Sequence, residues 1–385
     1  MILMTDPQRT LTVCYFGTYR HEYSRNKILI EGLRQNGVMV IECHEPLWGS
    51  VDERVQLVKK GISLSFIFRA IRAYIRLLQR YFQIRDYDVM VVGYPGQFDV
   101  FPAWILTRLK GRPLVWDFFM SIYLISLERN LDQCNRLSVR LLRWIEWIGL
   151  RLADFIIQDT SPYKRWLTKT YGISEKKIGL VPTGADNRVF YKRDSIHLPD
   201  RFVVLYYGSF IPNHGVPLII QAAEMLQQYP EILFELIGDG PDRKTCQEMV
   251  SRLGLNNVVF LDWMDQEKLA ETIARSSICL GAFGDTPQSL MTVHNKVYEC
   301  MAMGKVVVTG ESEAVLDQFS HARDLFTCGR NPIQISQAIR TLLTQPDLCK
   351  TIAQNAVETF LNHYALERIG ARMLTLIHSE LMAEG

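Results

Sequence analysis

Residues 202–253 read FVVLYYGSFIPNHGVPLIIQAAEMLQQYPEILFELIGDGPDRKTCQEMVSRL, and the order of signals in this stretch decides the fold class. Phe202 to Tyr206 is a continuous apolar run of strand length, followed by the glycine- and donor-rich loop Tyr207 to Gly215. Val216 to Gln228 carries a helical pattern. Leu233 to Ile237 is a second apolar strand, closed by Gly238-Asp239-Gly240-Pro241, and Pro241 to Leu253 reads as the next helix. Strands apolar on both faces, alternating with helices, predict a parallel sheet covered on both sides. Pro241 suits the first helical position, and the glycines let backbone amides approach a ligand. A dinucleotide fingerprint needs a third glycine where Arg243 stands, so an NAD site is not expected.

The alternation extends in both directions. Upstream, Thr10 to Phe16, Val38 to Glu42, Val89 to Gly93, Leu114 to Trp116, Phe155 to Ile157 and Ile178 to Val181 read as strands. Downstream, Val258 to Leu261, Ile278 to Leu280 and Val306 to Thr309 continue the second series. Between the two series, Gly184 to Asp200 is polar and irregular and reads as a linker. The expected organisation is therefore α/β, with two Rossmann-like domains facing across a cleft at the carboxyl ends of their strands. Residues 1–195 are expected to form the first domain and residues 196–365 the second. Residues 366–385 are helical after a break near Tyr364, with the last helix expected to cross back to the first domain.

Composition narrows the function classes. The 385 residues exceed what one core usually spans. The eight cysteines contain no C-x-x-C pair, which fits buried reduced thiols rather than a disulfide framework or a zinc site. Met1 to Asp6 is too short and too soon charged for a signal peptide, and no run of about 18 apolar residues exists, so a cytoplasmic protein without a spanning helix is expected. The net charge of +2 hides an asymmetry: residues 1–200 hold 29 Lys/Arg against 20 Asp/Glu, and the remainder hold 14 against 21.

Phe283 to Val308, FGDTPQSLMTVHNKVYECMAMGKVVV, holds the second candidate site. Asn295 to Met303 begins a helix with Lys296 and Glu299 on its first turn. A cation at a helix N-terminus is unfavourable for the helix alone and makes sense where it meets an anion. Glu299 reaches the same ligand; a surface Lys–Glu pair is the bland alternative.

The order YYGSFIPNHG, LFELIGDGP, VVFLDWM and NKVYECMAMGKVVV resembles the C-terminal half of the family-four retaining glycosyltransferases of GT-B fold. GTYRHEYSRNKILIEGL, RLADFIIQDT and KKIGLVPTGAD look like their N-terminal half. The resemblance implies a nucleotide-diphosphate sugar as donor substrate and a glycan or lipid-linked acceptor. It places Gly17, Gly208, Ser209, Gly238 and Asp239 around the donor diphosphate, Trp263 and Met264 by the base, and Glu299 on the ribose. Many members carry a first glutamate where this chain has Met291, and Arg and Lys where it has Ser209 and His214. A subset with Asn-Lys before the helix lacks that glutamate too. This chain is similar to that subset, which adds Asn295 and Val297 to the donor-binding set and makes Lys296 the best-placed cation for the leaving diphosphate.

Catalysis with retention, as the resemblance implies it, asks the leaving phosphate to take the acceptor proton on the same face. Neither a catalytic metal nor another cofactor is expected. Lys296, Asp117 and His214 are the catalytic candidates. Asp117 ends the strand PLVW and is expected to face the cleft and orient the acceptor hydroxyl, with a capping role as the alternative. A sugar-nucleotide epimerase of the same fold and a non-catalytic sugar-nucleotide-binding subunit remain the competing classes.

One segment points to a surface instead of a substrate. From Arg54 to Arg85 there are eight Lys/Arg and no acids, with Arg69, Arg72, Arg76 and Arg80 at helical spacing. Ile67, Ile71, Tyr74, Ile75, Leu78 and Phe82 form an apolar stripe beside them. This pattern suits the anionic inner face of a membrane, as a peripheral contact. Nucleic acid is not expected, because no recognition motif accompanies the charge. The competing reading docks the stripe on the protein's own sheet and leaves the basic face in water.

Overall fold

A computed structural model describes residues 10–47, 63–193 and 200–382. The chain divides into two compact units, Met1–Pro182 with Leu366–Gly385, and Thr183–Ala365.

In the first unit β1 (Thr12–Gly17), β2 (Met39–His44), β3 (Val89–Val92), β4 (Leu114–Asp117), β5 (Phe155–Gln158) and β6 (Ile178–Leu180) form one sheet in the order β2-β1-β3-β4-β5-β6. Every pairing is parallel. The central strands β3, β4 and β5 are buried at every residue, which is why their sequences are apolar without alternation.

The second unit repeats the plan with β7 (Phe202–Tyr207), β8 (Ile232–Ile237), β9 (Val258–Leu261), β10 (Ile278–Leu280), β11 (Val306–Gly310) and β12 (Phe326–Cys328), in the order β12-β11-β10-β7-β8-β9. Its pairings are parallel as well. In both sheets the order reverses beside the first strand, and a doubly wound sheet opens a crevice at that point. No described helix is long and apolar enough to cross a membrane.

Three details differ from the reading of the sequence. The division falls at Pro182/Thr183 instead of residue 195, because the start of the expected linker is already part of the second unit. Ala185 N–H donates to Tyr364 O at 3.3 Å, and Ala185 and Phe190 sit in the same apolar core as Tyr298 and Phe360. The helix after Gly240 runs Arg243–Leu253, so Pro241 lies in the turn before it. Strand β12, the three residues FTC, went unread.

Helix Leu64–Phe82 meets the covered-face alternative for the basic segment only in part. Its buried residues are Ala73, Leu77 and Tyr81, while Ile67, Ile71 and Ile75 are 40%, 52% and 52% exposed. Arg76 and Arg80 fold back onto Glu45, at 3.2 and 2.9 Å. The further basic residues Arg54, Lys59 and Lys60 lie outside the described residues.

Helices Ser24–Gln35 and Leu366–Ile377 pack together over the first sheet, and glycines set their spacing. A Cβ on Gly370 would overlap Gly32 O, and one on Gly32 would lie 2.6 Å from Leu366 O. Gly370→Ala is therefore expected to lose about 1–3 kcal/mol through overpacking. Urea unfolding followed by far-UV circular dichroism should show an earlier transition; an unchanged midpoint would mean that the helices separate without cost.

Candidate functional site

The loops after β7 and β8 are built around glycine. Gly208 (φ 138°), Gly238 (φ 129°) and Gly240 (φ 150°) hold backbone conformations that other residues rarely adopt. They also lie too close for side chains: a Cβ on Gly238 would overlap Gly208 O, and one on Gly240 would lie 2.6 Å from Phe210 O. Phe210 N–H donates to Asp239 O at 2.8 Å, tying the loops together. Arg243 braces the second loop, donating to Gly238 O at 2.8 Å and pairing with Asp262 at 2.8 Å.

Helix Asn295–Ala302 begins against these loops, and no side chain caps its N-terminus. Lys296 is 5% exposed, and its Nζ has no hydrogen-bond partner. The ammonium sits 4.1 Å from the centroid of the Tyr206 ring, and a Cβ on Gly208 would lie 3.0 Å from it. Burial pulls its pKa down to about 7, against the attraction of Cys300 and Glu299. An unpartnered buried cation at a helix N-terminus, facing a glycine loop, is a place for an anion.

Glu299 lies one turn on, with Oε2 accepting from the Tyr207 hydroxyl at 2.6 Å. Burial raises its pKa, while that hydrogen bond and Lys296 oppose the rise. His214 is partly exposed, and its Nδ1 lies 2.7 Å from Ser209 O. A carbonyl only accepts, so Nδ1 carries the proton and Nε2 is left as an acceptor. Burial, then Lys296 and His294, hold His214 well below its usual pKa. Burial also lowers His294, whose ring is 5.0 Å from that of His214, to about 3. The two imidazoles are neutral at pH 7, which leaves Lys296, when protonated, to carry the positive charge of the group.

The structure thus brings together Gly208, Ser209, His214, Gly238, Asp239, Lys296 and Glu299. Trp263 and Met264 follow β9 at the same end of the sheet. Trp263 is 66% exposed, and Met264 packs against the core and accepts from Thr272 Oγ1 at 3.5 Å. Asn295 opens the helix and is half-buried. Val297 does not offer its side chain: it is 1% exposed in the core, and its N–H donates to His294 O at 2.9 Å.

Two candidates lie in the first unit. Gly17 ends β1 at φ 139°, and a Cβ there would lie 2.6 Å from Asp99 Oδ2. Asp99 holds this loop, accepting from Thr18 N–H at 2.8 Å and from the Tyr74 hydroxyl at 2.8 Å. Burial raises the Asp99 pKa to about 6. Asp117 corrects the expectation of an open carboxylate. It is fully buried, with Arg25 donating from Nη2 at 2.8 Å and from Nε at 3.1 Å. Arg25 Nη1 also donates to Val181 O at 2.7 Å. Such a pair fixes strand ends and leaves Asp117 no room for an acceptor hydroxyl.

Sequence reasoning read Tyr206 as strand filling, gave Tyr207 no role beyond opening the loop, and passed over Arg330. Arg330 donates to Gly284 O at 2.5 Å and to Ser289 Oγ at 3.1 Å, pinning the segment that leads to His294. The missed strand β12, just before it, was the signal that would have placed it.

The profile described as Glycosyltransferase Family 4 matches residues 27–188, and that described as Glycosyl transferases group 1 matches residues 188–359. The chain is a family-four glycosyltransferase. Among its relatives is the alpha-D-kanosaminyltransferase of Streptomyces kanamyceticus, 24% identical over 71% of this chain and 72% of the relative. The GDP-mannose-dependent alpha-(1-6)-phosphatidylinositol monomannoside mannosyltransferase of Mycolicibacterium smegmatis is 28% identical over 48% of this chain and 50% of its own length. The fold is that of GT-B enzymes: sucrose-phosphate synthase from Thermosynechococcus elongatus superposes with a TM-score of 0.75 over 98% of this chain and all of the other, at 15% identity.

The depressed pKa of Lys296 gives the glycosyltransferase a pH signature. Without ligand the ammonium is lost as pH rises through about 7; a bound diphosphate would hold the proton and raise that pKa. Nucleoside-diphosphate binding should therefore take up a proton at about pH 8 and weaken as pH rises further. Calorimetry in buffers of different ionisation enthalpy measures this uptake. A heat of binding independent of buffer at pH 8, or uptake unchanged in Lys296→Ala, would detach Lys296 from the anion.

Proposed function

We propose that this glycosyltransferase moves a sugar from a nucleoside-diphosphate sugar to a glycan or lipid-linked acceptor, with retention at the anomeric carbon and without a metal ion. The observation that carries the proposal is the unpartnered, buried Nζ of Lys296 beside Gly208. As the bond from the anomeric carbon to the phosphate oxygen breaks, charge grows on the diphosphate, and Lys296 with the uncapped helix N-terminus stabilises it. The acceptor oxygen bonds to the anomeric carbon on the face the diphosphate leaves, and its proton passes to the departing phosphate oxygen. Glu299, with one oxygen held by Tyr207, offers the other to the ribose hydroxyls. His214 presents Nε2 to the donor. The neutral imidazoles suit hydrogen bonding to a sugar hydroxyl better than charge neutralisation.

The donor base is the open choice. The HepE protein of Anabaena, similar in fold with a TM-score of 0.68 and 15% identity over 96% of this chain and all of the other, was solved in complex with UDP. The mycolicibacterial relative is named for GDP-mannose. Its name also specifies a phosphatidylinositol acceptor, which supports the lipid-linked alternative here. A lipid-linked acceptor accords with an exposed basic helix, Leu64–Phe82, lying on the anionic cytoplasmic face of a membrane. Arg76 and Arg80 are ion-paired to Glu45, and Arg72 is the arginine assigned to that contact.

Incubation with UDP- and GDP-sugars and a glycan or lipid acceptor in the presence of a chelator should yield product with the donor's anomeric configuration. Lys296→Ala should slow turnover on the order of 10²–10³-fold, by analogy with removed oxyanion donors. Glu299→Ala should chiefly weaken nucleotide binding, roughly ten- to hundred-fold, as expected for a lost charge-assisted hydrogen bond. Inverted product, a requirement for metal, or isomerised donor sugar without transfer would each replace this reading.

A further inference from the structure

Large apolar side chains crowd one region of the first unit. Thirteen of the twenty-two exposed large hydrophobic residues among the described residues lie on helices Leu64–Phe82, Val100–Lys110 and Arg136–Leu152. These helices connect β2 to β3, β3 to β4 and β4 to β5, all stepping the same way along the sheet. Right-handed crossovers then put all three on one face. Their contacts agree: the Tyr81 hydroxyl lies 3.5 Å from Leu106 O, and helix Val100–Lys110 packs against helix Arg136–Leu152.

Helix Arg136–Leu152 was not singled out by its charge, yet it is amphipathic as well. It buries Val139, Leu142, Glu146, Gly149 and Leu150. Its outward residues include Leu141, Trp144, Trp147 and Ile148, at 59%, 60%, 37% and 40% exposure, beside the exposed Arg140 and Arg143. Its one acid, Glu146, points inward and accepts from Ser121 Oγ at 2.7 Å and from the Tyr171 hydroxyl at 2.5 Å. No Asp or Glu is exposed on any of the three helices. A soluble partner surface would seldom ask for so many bare aliphatic and indole groups with only cations between them. An anionic bilayer satisfies both, because indoles settle at the headgroup level and arginines pair with phosphates.

We propose that the outward faces of these three helices form one bilayer-facing surface, in which Trp144 and Trp147 enter the headgroup layer and Arg140 and Arg143 meet anionic headgroups. The inference deepens, and rests on, the membrane reading of helix Leu64–Phe82. It changes the contact from one helix lying on lipid to a three-helix plane, with two tryptophans as its anchors.

The test uses the full chain with vesicles of phosphatidylcholine, with or without phosphatidylglycerol. The wild type should co-float with the anionic vesicles and release in high salt. An R140Q/R143Q/W144A/W147A variant should bind them more than tenfold more weakly, since each basic residue alone contributes about 1 kcal/mol. Its nucleotide binding and urea midpoint should match wild type, which separates lost docking from lost folding. Brominated lipid should quench part of the tryptophan emission of wild type and less of that of a W144F/W147F variant. If the fourfold variant floats like wild type while an R69Q/R72Q variant does not, helix Arg136–Leu152 faces water and the inference falls, leaving the single-helix contact. If wild type ignores anionic vesicles, both membrane statements fall; concentration-dependent dimers lost in W144A/W147A would then assign the face to a second copy. None of these outcomes bears on sugar transfer, which the donor assay reads separately.

Discussion

An ammonium withdrawn from water and given no hydrogen-bond partner is among the more costly arrangements a fold can hold. Lys296 is so placed, and the rest of the second unit's site is arranged around it. The Tyr206 ring beneath it supplies a weak compensating field, as cation–π contacts do. The glycine at 208 leaves the space above it open. The two neighbouring imidazoles stay neutral and do not add to the positive charge. Glu299 keeps its carboxylate near the lysine yet commits one oxygen to Tyr207.

The glycine loops follow from the same constraint. Backbone from the ends of two strands comes together beside Lys296, and the approach of Gly238 to Gly208 O is closer than any side chain permits. Positive φ at both residues turns the chain sharply off the sheet, and Arg243 holds the second turn from outside. Where a nicotinamide fold would set a third glycine against its helix, this chain has a long cation bridging to Asp262. One substitution of residue type thus separates two ways of using the same strand–turn–helix.

Much of this was legible because parallel strands buried on both faces leave an unmistakable apolar run, and because a lysine at a helix start contradicts the helix's own electrostatics. What the sequence concealed was direction. Asp117 ends a strand and so looked poised over a crevice, but its orientation depends on Arg25, ninety-two residues away, which turns it inward. Val297 stands between Lys296 and Glu299, yet helical rotation sends its side chain to the core. The apolar stripe of Leu64–Phe82 was read correctly as a stripe, whereas which side of the helix met the sheet rested on Ala73, Leu77 and Tyr81. The Trp144–Trp147 face was missed for the same reason: periodicity marks an amphipathic helix without saying which of its apolar residues the sheet leaves uncovered.

The glycine crossing of Ser24–Gln35 with Leu366–Ile377 has a consequence for how the protein is made. The first unit is interrupted in the chain by the whole of the second, and its core includes Ile369 and Met373. During synthesis its sheet can form from the early strands, but one face stays only partly covered until more than 180 further residues have left the ribosome. The second unit, continuous in sequence, has every residue it needs first. Contacts that span most of the chain are slow to close, so the nascent first unit waits in a half-clad state that is prone to aggregation. Order of birth and order of completion are therefore reversed in this protein, and the last helix is the seal on the domain that emerged first.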